Sequence, residues 1–408
     1  MKLYKLAQIL SVIAIFIAIV GVTIFYLVNN HSQYNVKPFS ANAMIYELWQ
    51  GSKKNLIEAG SNRTLDKQVN VITTSEGESY TMLRSVWQDD KDVFDKSFKW
   101  LTDNLGRHED HLYAWKFGQR SDGTYGQIVD EGGHNTASDA DSDIALALAF
   151  GYAKWNQQDY YYKAKDIIQD IWTNEVVIIN GKPVLVSNNL EKKSKSQVLV
   201  NPSYFAPYSY KIFSRIDKDH DWNSLADNSY NIISQTLKLN LDKPSTANIP
   251  PDWVAINTIT GEITATHIAD LTTDYSFDAI RVAFRLSLDY FWFKDPRAKE
   301  VLNQMQFLSR QWNNNKALYN SYTHNGVNLT VNNAPSVYGA QLGYFMIIDP
   351  TNATEIYNTK LVPLYSSDKQ SWIKDLPYYD DNYAWFGIAL YNKNLPNLTE
   401  NNKFPYEK

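Results

Sequence analysis

The most informative part of the chain is TASDADSDIALALAFG, residues 136–151, where aspartates lead directly into an apolar run with helical character. The same arrangement recurs in TTSEGESY, residues 73–80, which contains Glu76, and in TDYSFDAIRVAFR, residues 273–285, which contains Asp278. Carboxyl groups at the start of apolar helices are suited to a cleft in which protons are transferred. The apolar runs themselves predict an all-α fold.

The rest of the chain continues this helical pattern, and short polar links between helices favour antiparallel neighbours. About six helical hairpins in one domain predict an (α/α)6 barrel with an inner and an outer ring, and a two-domain helical protein is the alternative. Alternating apolar residues predict small β-hairpin insertions at 176–186 and 253–265. The predicted helices lie near residues 46–59, 77–89, 92–105, 142–155, 160–176, 204–216, 222–237, 277–293, 296–312, 336–348, 352–367 and 378–394.

The N-terminus predicts a membrane anchor. Lys2 and Lys5 precede a charge-free apolar run at residues 9–28, and a helix of about 20 residues spans the hydrocarbon core. We expect a cytoplasmic N-terminus and signal-anchor transmembrane helix at 1–28, a stalk at 29–45, and one large extracytoplasmic domain at 46–408 in a single-pass membrane protein. Secretion after signal cleavage is the alternative.

Composition narrows the functional classes. The net charge is −5 and no basic patch interleaves with aromatic residues, which argues against a nucleic-acid partner. The chain has no cysteine, which excludes disulfides, thiolate metal sites and a cysteine nucleophile. The alternating aspartates from Asp139 do not form an EF-hand loop, because Ile144 and Phe150 stand where glycine and glutamate are required. We expect no cofactor and no metal.

Each acidic motif also has a purely structural interpretation. Ser75 and Glu78 have the spacing of a capping box, in which Glu76 merely complements the helix dipole. Asp278 and Arg281 have the spacing of a helical ion pair; functionally, Arg281 would keep Asp278 ionised, as a general base requires. If Glu76 is a general acid, burial or a neighbouring carboxylate must raise its pKa against the dipole.

Together the motifs resemble glycoside hydrolase family 8, a family of bacterial endoglucanases that includes the cellulase associated with cellulose synthesis. The resemblance implies an (α/α)6 barrel and hydrolysis with inversion at the anomeric carbon, for which the two carboxyl groups lie about 6.5–9.5 Å apart. The matching pieces, in order, are TTSEGESYTM, LYAWKFG, TASDADSDIALALAFG, NPSYFAPYSYKIF and TDYSFDAIRVAFRLSLDYFWFKDPRA.

The resemblance also implies roles for individual residues. The general acid falls on Glu76, the general base on Asp278, and the aspartate that contacts the sugar at the cleavage point on Asp139. Arg281 falls on the arginine that accompanies the base, and Asp141 is a further candidate for binding sugar hydroxyls. Aromatic positions of the cleft fall on Trp115 and Tyr204. The chain departs from the family pattern at Thr81, where glycine is frequent, and at Phe277, where tyrosine often precedes the base.

These observations predict a membrane-tethered inverting endo-β-glycanase that hydrolyses β-1,4-glucan, either cellulose-like or mixed-linkage. A tethered glycanase is placed to trim a polysaccharide as it leaves a membrane synthase, which is a second hypothesis. The alternatives are a xylanase, lichenase or chitosanase of the same family, and a non-catalytic glycan-binding protein on the same fold. A lyase or an α-glycan hydrolase on a similar toroid is also open.

Overall fold

The computed structural model describes residues 43–405 and residue 407. Thirteen α-helices dominate this described part of the chain. They are α1 (Ala43–Leu56), α2 (Ser75–Trp87), α3 (Lys91–Leu105), α4 (Ser138–Trp155), α5 (Gln158–Glu175), α6 (Pro207–Ile216), α7 (Trp222–Thr236), α8 (Ile280–Phe293), α9 (Pro296–Gln304), α10 (Gln306–Asn315), α11 (Pro335–Ile348), α12 (Pro350–Ile356) and α13 (Tyr378–Tyr391).

Twelve of the thirteen helices in the described chain pack as six hairpins. Five are consecutive pairs, α2 with α3, α4 with α5, α6 with α7, α8 with α9, and α11 with α12, and the sixth joins the two ends of the described chain through α13 and α1. The first members also pack on one another, α2 on α4, α4 on α6, α6 on α8, α8 on α11, and α11 on α13. The predicted all-α fold and its six hairpins are confirmed.

Burial distinguishes the two sets of helices. In α4 the residues from Ser138 to Tyr152 are all buried, so this helix has no solvent-facing stripe. In α3, by contrast, Phe94, Phe98, Leu101 and Leu105 are buried at helical spacing while the intervening charged residues are exposed. Each such large apolar side chain contributes roughly 1.5–3 kcal/mol when it is removed from water.

In the described chain, four small antiparallel sheets lie in the connections between the helices. One contains β1 (Thr73–Thr74), β2 (Lys116–Gln119) and β3 (Tyr125–Gln127), and a second is the hairpin of β4 (Val176–Ile179) and β5 (Lys182–Leu185). The third contains β6 (Gln197–Val200), β7 (Val254–Asn257) and β8 (Ile263–Thr264), and the fourth β9 (Tyr365–Ser366) and β10 (Ser371–Trp372).

Both predicted hairpins are confirmed. The turn between β4 and β5 is Asn180-Gly181, and both residues have positive φ, 49° and 75°, as a two-residue hairpin turn of this kind requires. The hairpin at 253–265 gains a third strand, because β6 pairs with β7. The sheet of β1 to β3 was not predicted, since its strands are short and lie in a glycine-rich stretch.

Several predicted boundaries are wrong. The helix predicted at 296–312 is two helices divided at Met305, and the helix predicted at 352–367 ends as an α-helix at Ile356. Helix α1 begins at Ala43, inside the predicted stalk of residues 29–45. The predicted transmembrane helix at 1–28 lies outside the described residues. Within the part of the chain that is described, no helix has the length and apolar composition to span a membrane.

Candidate active site

Glu76 is the second residue of α2, and its neighbours differ from the predicted capping box. Thr74 caps the helix, because its Oγ1 accepts the Gly77 N–H at 3.0 Å. Glu78 is instead fully buried and accepts the Thr64 N–H at 2.6 Å and the hydroxyl of Ser97. Helix capping therefore does not account for Glu76.

Arg281 joins the three predicted carboxylates at one point. Its Nη1 donates to Glu76 Oε2 at 2.6 Å and to Asp139 Oδ2 at 2.8 Å, and its Nη2 donates to Asp278 Oδ1 at 2.5 Å. The predicted pair of Asp278 and Arg281 is confirmed. Glu76 and Asp139 lie in the first turns of α2 and α4, and Asp278 and Arg281 flank the start of α8, so the N-terminal ends of three helices meet at one point.

Two side chains of this cluster are buried, and two are accessible to solvent. The side chains of Arg281 and Asp139 are only 2% and 3% exposed, whereas those of Glu76 and Asp278 are 24% and 33% exposed. Glu76 and Asp278 each contact a different terminal nitrogen of the guanidinium. Two carboxyl groups are thus open to a ligand, with a cation and a third carboxylate beneath them.

Sequence reasoning missed two further members of the site. Tyr378, the first residue of α13, donates its hydroxyl to Glu76 Oε1 at 2.9 Å. Trp253 donates its indole N–H to Asp278 Oδ2 at 3.0 Å. Tyr378 opens an apolar helix whose first turn also holds Asp380 and Asp381, so it shares the pattern of the other site segments. No comparable signal marks Trp253.

The environment shifts both accessible carboxyl groups in the same direction. Burial raises the pKa of Glu76 to about 7, and the nearby Asp139 and Asp278 carboxylates add to the rise while Arg281 and Tyr378 oppose it. Burial also raises the pKa of Asp278, again against the effect of Arg281. Arg281 lowers the pKa of Asp278, as the ion pair predicts, but desolvation has the larger effect.

Asp252 holds the segment that carries Asp278. Its Oδ1 accepts the backbone N–H groups of Ser276 and Ala279 at 3.1 and 2.7 Å, and its Oδ2 accepts the Ser276 hydroxyl. Burial raises the pKa of Asp252 to about 7, with the Asp278 carboxylate adding to the rise. This loop is fixed from both flanks of Asp278, which is the condition for a precisely placed proton acceptor.

The aromatic residues predicted for the cleft lie near this cluster. The Tyr204 ring faces the Arg281 guanidinium at 5.1 Å and meets the Trp253 ring edge-on at 5.8 Å. Trp115 is half-buried; its indole N–H donates to Gly132 O at 2.9 Å, and its own carbonyl accepts the Ser75 N–H beside Glu76.

Asp141 is the predicted site residue that the structure separates from the others. It is fully buried, and its carboxyl group contacts the Tyr113 N–H at 3.0 Å and the Glu175 side chain. Residues two apart lie on nearly opposite sides of a helix, so Asp139 and Asp141 face different ways. The prediction that Asp141 binds sugar hydroxyls is wrong for this geometry.

Two departures from the family pattern have definite surroundings. The Thr81 hydroxyl pairs with that of Thr64 at 2.7 Å, so Thr81 fastens α2 to the loop that Glu78 also holds. Phe277 is 43% exposed beside Asp278, and its ring meets that of Tyr379 edge-on at 5.8 Å.

Among residues 43–405 and 407, no group of three or more His, Cys, Asp or Glu side chains is arranged to hold a metal ion.

Comparisons with known proteins agree with this geometry. The sequence profile described as glycosyl hydrolases family 8 matches residues 29–383. Endoglucanase A of Acetivibrio thermocellus is 27% identical over 363 residues, which are 87% of this chain and 68% of that protein.

Solved structures share the fold at lower identity. A β-1,3-1,4-glucanase from Paenibacillus sp. X4 superposes with a TM-score of 0.70 at 21% identity, covering 88% of this chain and 95% of that one. A cold-adapted family 8 xylanase superposes with a TM-score of 0.69 at 17% identity, covering 90% of this chain and 93% of that one. At such identities the likeness concerns the fold alone.

Proposed function

The chain belongs to glycoside hydrolase family 8, and from that premise we propose that it is an inverting endo-β-1,4-glucanase with Glu76 as general acid and Asp278 as general base. The observation that carries the proposal is the contact of Arg281 with Glu76, Asp139 and Asp278 at 2.5–2.8 Å. It brings together one carboxyl group from each acidic motif, although they are far apart in sequence.

The proposed reaction is a single displacement. Glu76 gives its proton to the glycosidic oxygen as the bond from that oxygen to the anomeric carbon breaks. A water molecule attacks the anomeric carbon from the opposite face, and Asp278 takes a proton from it. The new hydroxyl group carries the inverted configuration. Exchange with solvent then returns a proton to Glu76 and removes one from Asp278.

The assignment of acid and base comes from the family resemblance, and the surroundings of the two carboxyl groups support it. Burial raises the pKa of Glu76 to about 7, so a substantial fraction is protonated near neutrality, as an acid requires. Asp278 accepts two hydrogen bonds, from Arg281 and Trp253, and hydrogen bonds of this kind favour the ionised form that a base requires. Asp139, held by the same guanidinium, is the proposed partner for hydroxyls of the sugar at the cleavage point.

Substrate choice rests on the relatives. Endoglucanases predominate among the similar curated proteins, which favours β-1,4-glucan. The related folds also include a β-1,3-1,4-glucanase and a xylanase, so mixed-linkage glucan and xylan, together with chitosan, are the competing substrates. A panel of these polymers, with the anomer of the first product followed by NMR, tests the proposal. Products of retained configuration, or an unsaturated sugar end from a lyase, would contradict it.

A protein that only binds glycan is the alternative from another class. It predicts a tight oligosaccharide complex with no product at any enzyme concentration. The Glu76→Gln variant serves as the matched reference in that assay, because it preserves the shape of the side chain while removing the transferable proton. Equal behaviour of the wild type and this variant toward every polymer would favour binding over hydrolysis.

The proposed location is the outer face of the cell membrane, anchored by residues 9–28. The support is the charge-free run in that segment and the two lysines before it. The full chain should stay in the membrane pellet after alkaline extraction, and its main domain should be digested by protease added to spheroplasts. A chain lacking residues 1–28 provides the matched control. Recovery of the full chain in the soluble fraction would contradict the anchor.

A biosynthetic role extends the proposal. A glycanase tethered beside a membrane polysaccharide synthase meets the polymer as it emerges. Deletion of the enzyme should then change the length or the amount of the cell's own exopolymer, and the Glu76→Gln chain should fail to restore it. An unchanged exopolymer would favour hydrolysis of external glucan.

A further inference from the structure

Two fully buried carboxyl groups face each other behind the candidate site. Asp141, in the first turn of α4, and Glu175, the last residue of α5, are both 0% exposed, and their carboxyl groups lie close enough to interact. Asp141 Oδ1 accepts the Tyr113 N–H at 3.0 Å, and Glu175 Oε1 accepts the Thr136 hydroxyl. Within the described chain, the remaining oxygens, Asp141 Oδ2 and Glu175 Oε2, are buried without a hydrogen-bond donor.

This arrangement is satisfied only if one proton lies between the two groups. Two ionised carboxylates offer four acceptors and no donor, so their contact would be repulsive. If both groups were protonated, one hydroxyl would have no acceptor, because the outer oxygens already accept hydrogen bonds. A single shared proton gives each oxygen one favourable contact and leaves one negative charge.

The surrounding charges do not replace that proton. Arg107 is the nearby cation, and it is already paired with Asp110 through two contacts of 2.9 and 3.1 Å and with Glu109 at 3.2 Å. Asp139 is paired with Arg281. The phenols of Tyr113 and Tyr210 also face the pair, and burial raises the pKa of both, so they remain neutral.

The pair connects two segments of the candidate site. Through Asp141 it holds the Tyr113 N–H, and two residues later the Trp115 carbonyl accepts the Ser75 N–H beside Glu76. Through the first turn of α4 it holds the backbone that carries Asp139. A shift of either segment would move a carboxyl group that contacts Arg281.

We propose that Asp141 and Glu175 share one proton in a buried hydrogen bond, and that both are positioning residues which hold Asp139 and the start of α2 for the reaction. The part of this inference that concerns the reaction rests on the proposed glycanase function. The shared proton itself does not, and it can be measured without substrate.

Amide substitutions test the proposal because an amide supplies a permanent donor. In Asp141→Asn the oxygen still accepts the Tyr113 N–H and the new NH2 donates to Glu175, so no proton is needed. In Glu175→Gln the oxygen still accepts the Thr136 hydroxyl, and the new NH2 donates to Asp141. In the double variant, either two NH2 groups face each other with no acceptor between them, or one amide group flips. In the second case its oxygen no longer accepts the hydrogen bond from Tyr113 or Thr136.

The expected pattern is therefore non-additive. Each single variant should lower kcat/KM on β-glucan by no more than about threefold, whereas the double variant should lower it at least about tenfold beyond the product of the two single effects. Glu131→Gln, an exposed site before α4, controls for loss of a carboxylate. Single variants as damaged as the double, or a double variant that equals the singles, would overturn the shared proton.

Melting temperature against pH gives a readout independent of hydrolysis. Burial raises the pKa of Glu175 to about 8, so the folded wild type retains a proton that the unfolded chain releases above its ordinary pKa of about 4.5. Wild-type stability should therefore fall as pH rises from about 5 to 8 through this group, and it should fall less in Asp141→Asn. Parallel curves for the two proteins would overturn the proposal. A wild type that hydrolyses no glycan would count against the glycanase function, and the melting curves would still decide the proton pair.

Discussion

Arg285 and Asp143 form a fully buried two-point ion pair, with both Nη–Oδ distances at 2.9 Å, one helical turn beyond Arg281 and Asp139. The two pairs join α8 to α4 at the same sequence offset, four residues apart on each helix. Arg285 Nη1 also donates to the Tyr208 hydroxyl oxygen at 2.9 Å. The deeper pair therefore fixes the register of α4, whose first turn carries Asp139, against α8, which begins two residues after Asp278.

We expect Arg285→Met to destabilise the fold by about 3–5 kcal/mol, because it leaves the Asp143 carboxylate buried without a counter-charge. The double variant Arg285→Met with Asp143→Leu should be less destabilised than the single one, since no charge then remains. Urea unfolding followed by circular dichroism measures both. Lys96→Met, which removes an exposed ion pair with Asp92, is the control and should cost no more than about 1 kcal/mol. Arg285→Met at that same small cost would contradict the argument.

Glu76→Gln is expected to lower kcat on β-glucan by about two to four decades, because the amide cannot donate a proton to the leaving oxygen. The melting temperature should stay near that of the wild type. Glu262→Gln, at an exposed glutamate in the connection between β7 and β8, is the control and should retain full activity. Hydrolysis by the purified Glu76→Gln protein at a near wild-type rate would remove the assignment of the acid.

A substrate with a good leaving group separates the acid from the base. A β-cellobiosyl fluoride needs little protonation at the leaving atom, so Glu76→Gln should recover most of its loss on this substrate. Asp278→Asn should remain impaired, because the attacking water still lacks its proton acceptor. Recovery by Asp278→Asn with none by Glu76→Gln would reverse the two roles.

Local spacing predicted the pair of Asp278 and Arg281 correctly, but it did not predict the hydrogen-bond partners of Glu78. The three-residue separation of Asp278 and Arg281 is enough to place both on one helix face, and the pair is present. The spacing of Ser75 and Glu78 equally indicates a capping box. In the structure, however, Thr74 caps α2, and Glu78 accepts a hydrogen bond from the Thr64 N–H. A loop residue 14 positions away competes for that carboxylate, and no local pattern reports such competition.

Long-range contacts explain most of what sequence reasoning missed. Tyr378 meets Glu76 across 302 residues of chain, and only closure of the barrel brings them together. The separation of Asp139 from Asp141 follows from helical geometry alone, because successive residues rotate by about 100°. That error was avoidable from the predicted helix. The rise in the pKa of Asp278 could not be predicted from the sequence, since it depends on how deeply the folded chain buries the carboxyl group.

Tyr378→Phe should move the alkaline limb of the pH–rate profile to higher pH. Burial raises the pKa of Glu76 to about 7, and the Tyr378 hydroxyl opposes that rise by bonding the ionised carboxylate. Without the hydroxyl, Glu76 should keep its proton to higher pH, so the activity of an acid catalyst extends in that direction. The dependence of kcat/KM on pH measures the shift. Tyr365→Phe, which removes a hydroxyl bonded to Glu47 instead, is the control and should leave the limb in place.

Trp253→Phe should move the acidic limb of the same profile, also to higher pH. Burial raises the pKa of Asp278, and the indole N–H of Trp253 is one of the groups that oppose the rise. Phenylalanine keeps an aromatic ring against Tyr204 but donates no hydrogen bond to Asp278. The base should then become protonated at a higher pH, and kcat/KM on the acidic side should fall sooner while the alkaline limb set by Glu76 changes little. Trp155→Phe, which loses a bond to Asp89 on the surface, provides the matched control. An acidic limb that stays in place, or one that moves to lower pH, would contradict the assignment of Asp278 as the base.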